Sequence, residues 1–570
     1  MSAISRKRRA RTGCRTCRIK CDEIRPRCHR CESTGRTCDG YELAATAVRD
    51  AAIKNKGRRK LQPQTLRRNN DKPLIITTQP RSTPSLSTAE GESFAFFKLH
   101  TAREIAGGFD STLWNQIILP LSNNELSIFH AAVAVGAMHR LSRGQCPSLT
   151  MTGFFEPKSP FAIRQYVKSV NQLRSRLNGP SDAVCGEVAL VACLLFICLE
   201  MLQGNRPGAL AHLRTGLRIL STMQIPDIQF NTQEGKIGLK ISLDCGPLGM
   251  RLLASTFARL DYQSTMFGEQ APALALDLVS NTDGPAFGIP CFFTSVAEAR
   301  LSLDVLANAV HRFRGELLAL AGREIDHENT EMDWIFRYCL QSSRAKTVDL
   351  SSHPILEQQK AELSFKLARW LSAFQSLATN PLYSYARPTL LLETQHFYID
   401  FLLSTSRDTR EEKCDHFDNT FQRIVSLVER LTGNATFSSN VQTPINLPTL
   451  TFTLEPGVIP VLYLVAMKCR STIPRRRAIS LLDATRCQEG MWEGSLIARF
   501  VEQVADMEES AAGITPRSIN VVAGDIPESA RFNDVVLAGL EDLGYGRLVC
   551  ARYLHASTSE IEILEEIFRL

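Results

Sequence analysis

The chain has 570 residues, 44% hydrophobic and 22% charged, the ordinary balance of a globular protein with material for several domains and a large core. The net charge of +7 is unevenly placed: residues 1–70 hold 20 Lys and Arg against 6 Asp and Glu, while the other 500 hold 46 against 53. A short basic head on a mildly acidic body points to a polyanionic partner for the head alone. Of 17 cysteines, six fall between positions 14 and 38; the other eleven are scattered singly, as in Cys193 and Cys198, which argues against a disulfide framework. No apolar stretch follows Met1-Ser2-Ala3-Ile4-Ser5-Arg6, so no secretory signal is expected. The longest apolar run, Val188 to Leu202, contains Glu200 and is shorter than the roughly 20 residues that span a bilayer, so a buried helix is expected there and no membrane partner.

In chain order, residues 1–13 form a basic arm and 14–38 a cysteine cluster. Residues 39–91 are first basic, then rich in Ser, Thr and Pro (Pro73, Pro80, Pro84), and read as a flexible linker. An alanine-rich stripe at Ala44, Ala47, Val48 and Ala51 is too short for coiled-coil heptads, and the oligomeric state stays open. Residues 92–510 read as a large all-α body, with 511–570 as its C-terminal extension. Ser122 and Glu125 suggest a capping box opening a helix through Ile128, Phe129, Ala132, Val133 and Gly136. Ile163, Tyr166, Val167, Val170, Leu173 and Leu177 recur with a period near 3.6, as do Leu210, Leu213, Leu217 and Leu220 behind Asn205 and Pro207. Similar patterns lie near 290–320, 352–377, 388–405, 411–432, 457–471 and 490–508. Period-two alternation is clearest at Arg547–Leu554, a candidate strand. The acidic, apolar segment Glu560–Phe568 suits a terminal amphipathic helix better than an activation segment.

The cysteine cluster carries the chemistry. Its spacing is Cys14-x2-Cys17-x3-Cys21-x6-Cys28-x2-Cys31-x6-Cys38. Thiols two residues apart can face one metal at about 2.3 Å, and zinc favours thiolates. Six thiolates hold two Zn2+ ions if two sulfurs bridge them. Arg15, Arg18, Lys20, Arg25, Arg27, Arg30 and Arg36 ring the cluster, favouring deprotonated thiols and offering phosphate contacts. A single site from Cys14, Cys17, Cys28 and Cys31 is the other arrangement, leaving Cys21 and Cys38 free. His29 reads as a solvent-facing or phosphate-contacting residue rather than a ligand.

Gly13-Cys14-Arg15-Thr16-Cys17, Ile19-Lys20-Cys21-Asp22-Glu23, Arg25-Pro26, Cys28, Cys31 and Gly35-Arg36-Thr37-Cys38-Asp39-Gly40-Tyr41 closely resemble the fungal Zn2Cys6 binuclear-cluster transcription factors. The resemblance implies that Cys14 and Cys28 bridge two zinc ions, Cys17 and Cys21 complete one site, and Cys31 and Cys38 the other. It also implies a small helix in the major groove of double-stranded DNA, its basic side chains reading G-rich triplets. That family normally has six residues between its second and third cysteines; here there are three, Arg18, Ile19 and Lys20. Cys14, Cys17 and Cys21 then fall at i, i+3 and i+7, on one helical face, so zinc binding survives while the reading helix loses most of a turn. Arg18 and Lys20 are the base-reading candidates; Arg9, Arg11, Arg15, Arg25, Arg27 and Arg30 are phosphate-contact candidates.

Arg6–Arg9 and the Lys54–Lys60 run flank the cluster and suit nuclear import. The body resembles the second type of the family's fungal-specific regulatory domain through Phe94-x2-Phe97, Trp114 to Leu119, Ser122, His130-Ala131-Ala132, Gly136 and Leu190–Leu220. His130, His139 and His212 on helical faces are expected to be structural. His-Glu-x-x-His, Gly-x-Ser-x-Gly, the phosphate-binding loop and Gly-x-Gly-x-x-Gly are all missing from the sequence, so an enzyme is not expected. The reading is a nuclear, zinc-dependent, sequence-specific regulator of RNA polymerase II transcription, mainly α in fold, with DNA and transcription machinery or co-regulators as partners. The alternative is a nuclear interaction protein whose shortened cluster no longer reads DNA specifically.

Overall fold

A computed structural model of the protein describes residues 33–34, 86–109, 111–144, 159–179, 185–223, 228–233, 236–241, 248–267, 269–278, 289–326, 333–380, 386–432, 451–485, 487–540, 545–554 and 560–569. The chain divides into two units, Met1–Lys72 and Pro73–Leu570, and residues 86–569 belong to the second. All six clustered cysteines, the basic arm and most of the expected linker lie outside the described residues.

The body opens earlier than its composition suggests. Ser87 and Glu90 make a reciprocal capping box that starts α1 (Thr88–Phe96), inside the stretch read as linker. A π-helical turn, Phe97–Thr101, leads into α2 (Ala102–Ile105), and another, Leu113–Ile118, leads into α3 (Leu119–Asn124). The expected capping box at Ser122 and Glu125 does not form. The Ser122 hydroxyl donates to Leu119 O at 2.7 Å within α3, and Glu125 closes that helix in extended conformation before α4 (Leu126–Gly144) begins. α3 continues the helical backbone of Leu113–Ile118 without a break, so Ser122 lies inside a helix and is not placed to cap the next one.

α5 (Pro160–Leu177) follows the periodicity, but its buried positions are Ala162, Gln165 and Ser169. Val167 and Leu177, expected inside, are about half exposed. Polar contacts set that rotation: Ser169 Oγ donates to Ser127 O at 2.6 Å, and Gln165 Nε2 to Glu90 Oε1 at 2.8 Å. α6 (Cys185–Gln203) is long and apolar enough to cross a membrane by length and composition. Every residue from Val188 to Leu202 is buried inside the fold, so it is the core helix that the sequence suggested. α7 (Arg206–Thr222) starts where Asn205 caps it, accepting from Gly208 N at 3.2 Å, and buries Leu213, Leu217 and Leu220. With α8 (Leu248–Ser264), these helices enclose the first core, centred on Phe97, Ile128, Val133, Leu194 and Phe257.

A second core joins α12 (Arg387–Ser404), α13 (Asp418–Thr432), α14 (Ile459–Lys468), α15 (Thr472–Ala484) and α16 (Gly494–Ala511) through Phe397, Phe421, Leu462, Leu482 and Val504. A third lies among α9 (Val296–Asp326), α11 (Pro354–Ala378) and α12. At its centre Trp370 stacks on Phe374 and His396, with ring centroids 4.7 and 5.1 Å away. Its indole N–H donates to Ala299 O at 3.0 Å, so the polar end of the largest side chain is satisfied inside.

The body is mainly helical rather than all-α. Three small sheets interrupt it: β1 (Ile228–Gln233), β2 (Lys236–Ile241) and β3 (Leu274–Leu278); β4 (Thr451–Thr453), β5 (Cys487–Glu489) and β6 (Trp492–Glu493); β7 (Asp534–Leu540), β8 (Tyr545–Tyr553) and β9 (Ile561–Arg569). The strand expected at Arg547–Leu554 is β8. The terminal helix expected over Glu560–Phe568 is instead the strand β9, antiparallel to β8 from Tyr553 opposite Ile561 to Tyr545 opposite Arg569. Isoleucines at 561, 563 and 567 favour an extended chain, and β8 supplies the ladder. Leu564 and Phe568 then reach the second core, while Ile561 and Ile563 face α10 (Trp334–Ala345).

Candidate functional site

The residues predicted to bind zinc and DNA, from Arg9 to Cys38, lie outside the described residues. Among the described residues no three His, Cys, Asp or Glu side chains come together to hold a metal ion. The three helical histidines are packing residues. His130 Nδ1 meets Gln165 Oε1 at 2.7 Å, and burial lowers its pKa. His139 is closed off from solvent between Thr101 Oγ1 at 3.0 Å and Glu104 at 3.4 Å. His212 Nε2 sits 2.8 Å from the Tyr166 hydroxyl, and burial lowers its pKa too.

The motif residues shared with the regulatory domain gather in the first core: Phe97 and Ala132 are fully buried, and Trp114 and Ala131 nearly so. A Cβ on Gly136 would lie 2.3 Å from Ser93 O, so only glycine lets α1 approach α4 this closely. These residues are a packing signature.

The strongest concentration of chemistry lies where α14 meets α15. Lys468 and Arg470 stand at that junction, and Arg470 is fully buried. A guanidinium has five N–H donors, and Arg470 places all of them. They go to Glu508 Oε1 (2.8 Å) and Oε2 (3.3 Å), Glu411 Oε2 (2.9 Å), Lys468 O (3.0 Å) and Phe532 O (3.3 Å). Glu508 also accepts from Arg475 Nη2 at 2.7 Å and Phe532 N at 2.8 Å. Burial alone would raise the Glu508 and Glu411 pKa values; Arg470 and Arg475 for one, Lys468, Arg470 and Lys346 for the other, hold both below the usual carboxylate range. Arg531 forms a bidentate pair with Asp415 at 2.8 and 2.9 Å and tethers the chain entering β7 to the 411–417 turn.

Beside this network is a cavity of about 90 Å³. Arg314 of α9, Lys346 following α10, Lys468 of α14 and Asp534 of β7 give its polar wall; Leu317, Leu318, Phe401 and Leu464 give its apolar wall. Lys468 Nζ is 2.9 Å from both Glu411 oxygens and from Asn533 O. Lys346 Nζ is held more loosely, 3.1 Å from Asn533 O, 3.4 Å from Asp534 and 3.5 Å from Glu411. Burial alone would lower the Lys346 pKa, but Asp534 and Glu411 hold it above the usual lysine range. Of these groups Arg314 alone carries a mark in the sequence: a cation next to Phe313 inside the apolar stripe Val310, Phe313, Leu317.

Another buried charge cluster joins α8 to α9: Arg259 Nη1 meets Asp304 at 3.1 Å, and Arg259 and Arg300 share Glu455. Both clusters link elements distant in sequence, as structural networks do. The groups set on their carboxylates, Cys414 Sγ 3.8 Å from Glu411 and the Tyr262 hydroxyl 3.3 Å from Asp304, are buried, and burial raises the pKa of each, which keeps them protonated.

Residues 96–295 match the family described as the fungal specific transcription factor domain. The chain is 26% identical to the aspercryptin biosynthesis cluster-specific transcription regulator atnN of Emericella nidulans, over 98% of this chain and 96% of that protein. It is a homologue of fungal transcription regulators. The transcription regulator lscL of Purpureocillium lilacinum is 27% identical over 36% of this chain and 46% of its own length. The transcriptional regulatory protein moc3 of Schizosaccharomyces pombe is 36% identical over 16% of each chain. No solved structure matches. These relatives are all named as regulators of transcription.

Proposed function

We propose that this homologue of fungal transcription regulators is a nuclear, zinc-dependent, sequence-specific DNA-binding regulator of RNA polymerase II transcription. The observation that carries the proposal is the spacing of Cys14, Cys17, Cys21, Cys28, Cys31 and Cys38 within a ring of arginines, ahead of a fungal specific transcription factor domain. Six thiolates fit two Zn2+ ions: Cys14 and Cys28 bridge, Cys17 and Cys21 complete one site, Cys31 and Cys38 the other. Closed thiolate shells leave no open position for a substrate, so the zinc role is structural. Arg18 and Lys20 meet base edges; Arg9, Arg11, Arg15, Arg25, Arg27 and Arg30 meet phosphates and set register without reading sequence. The body supports contacts with transcription machinery or co-regulators.

The three-residue gap between Cys17 and Cys21 favours a second reading, a nuclear interaction protein that keeps the cluster but not specific DNA reading. Selection from random duplex DNA by the full-length protein, with and without a zinc chelator, separates the two. An enriched motif that disappears with chelation supports the first. Uniform, salt-sensitive retention of all sequences supports the second.

A further inference from the structure

We propose that the cavity between α9, α10, α12, α14 and β7 is a binding site for a small organic anion, a monocarboxylate with a short apolar body. Charge on the cavity wall does not balance. Three cations, Arg314, Lys346 and Lys468, face one carboxylate, Asp534, with Glu411 immediately behind the lysines. Asp534 is already engaged: its oxygens accept from the Ser342 hydroxyl at 2.8 Å and the Ser343 hydroxyl at 3.0 Å, and it pairs with Lys346. Glu411 is engaged by Lys468 and Arg470. The two lysines and two carboxylates therefore balance one another, and Arg314 is left over. Among the described residues its guanidinium has no hydrogen bond and no ion pair.

A guanidinium over an apolar pocket is matched by a planar carboxylate, which it can hold through two parallel N–H bonds. Lys346, held loosely by its three oxygens, adds positive charge on the same wall. The other polar lining groups are engaged within the fold: the hydroxyls of Ser342, Thr405 and Ser406 donate to Asp534, Phe401 O and Leu403 O, and the Asn533 amide donates to Thr409 O. Leu317, Leu318, Phe401 and Leu464 give the remaining wall, so the remainder of the ligand is apolar, and about 90 Å³ keeps it small. The seated anion bridges the second and third cores to the C-terminal sheet. The inference is independent of the zinc head.

Calorimetric titration of the full-length protein with hexanoate, hexanamide and inorganic phosphate tests it. Hexanoate is expected to bind saturably at one site, with hexanamide and phosphate each at least tenfold weaker. Arg314→Gln is expected to weaken hexanoate at least tenfold while leaving the unliganded melting temperature unchanged, since among the described residues Arg314 has no hydrogen bond or ion pair to lose; Arg314→Lys keeps the charge and recovers part of the affinity. Equal binding of hexanoate and hexanamide, preference for phosphate, no saturable binding, or full affinity in folded Arg314→Gln would each overturn the proposal. Should Arg314→Gln not fold, the wild-type comparison of acid and amide decides alone.

Discussion

Arg470 and Glu508 are both closed off from solvent and meet twice, Nη2 to Oε1 at 2.8 Å and Nε to Oε2 at 3.3 Å. The pair joins the α14–α15 junction to α16, and Arg475 leans on the same carboxylate. Glu508→Gln removes the only charge that Arg475 pairs with among the described residues and half of what Arg470 has. Breaking one side of a buried pair costs about 3–5 kcal/mol. Urea unfolding is expected to show a loss of that order; a loss under about 1 kcal/mol would mean that the hub is an ornament of packing.

Two buried glutamates make opposite pH predictions. Glu508 has a lowered pKa, so its contribution is complete above the unfolded value of 4.5 and is lost as pH falls through the folded value. Glu489 accepts from the amides of Gly457, Val458 and Ile459 at 2.9–3.0 Å at the start of α14, yet burial outweighs those bonds and pushes its pKa up to about 7. The native state holds that proton where the unfolded state has released it, so stability falls as pH rises from 4.5 towards 7. Glu489→Gln cannot titrate. Its stability deficit relative to wild type is therefore expected to shrink between pH 5 and pH 8, as followed by urea midpoints; a deficit that grows contradicts the assignment.

Glycines sort by what surrounds them. Gly136→Ala places its Cβ 2.3 Å from the backbone oxygen of Ser93, which cannot yield without moving α1, and about 1–3 kcal/mol of destabilisation is expected. Gly91, inside α1, has nothing within 4 Å, so Gly91→Ala is expected to raise stability by about 0.5–1 kcal/mol through helix propensity. Thermal melts of the two variants should move in opposite directions.

The C-terminal strand is part of the fold. Deleting β9 removes the partner of β8 and uncovers a strand whose Leu548, Val549, Cys550 and Ala551 are fully buried. A chain ending after Ala556 is expected to lose cooperative unfolding or to aggregate through the open edge. Retention of the full-length melting transition would show that β9 is dispensable.

Much of the helical body was legible because packing follows period. α5, α7 and α12 lie where apolar residues recur every 3.6 positions, α6 lies on the unbroken apolar run from Val188 to Leu202, and Asn205 caps α7 as its residue type suggests. α5 kept its period but not its face, because Gln165 and Ser169 turn inward to polar partners that only tertiary structure supplies. β1 and β2 carry a readable alternation: Ile228 and Phe230, then Ile237, Leu239 and Ile241, on either side of Glu234-Gly235. β4, β5 and β6, of two or three residues, are shorter than any period, and β9 owes its conformation to β8. The cavity was illegible for the same reason: Arg314, Lys346, Lys468 and Asp534 stand on four elements spread over more than 200 residues.

Zinc counting by native mass spectrometry on the intact chain tests the central claim most directly. Two zinc ions per chain are expected, with Cys14→Ser or Cys28→Ser, the bridging positions, disturbing both. One ion, retained when Cys21 and Cys38 are replaced, would establish a single four-cysteine site; that result, or no zinc at all, would contradict the binuclear assignment.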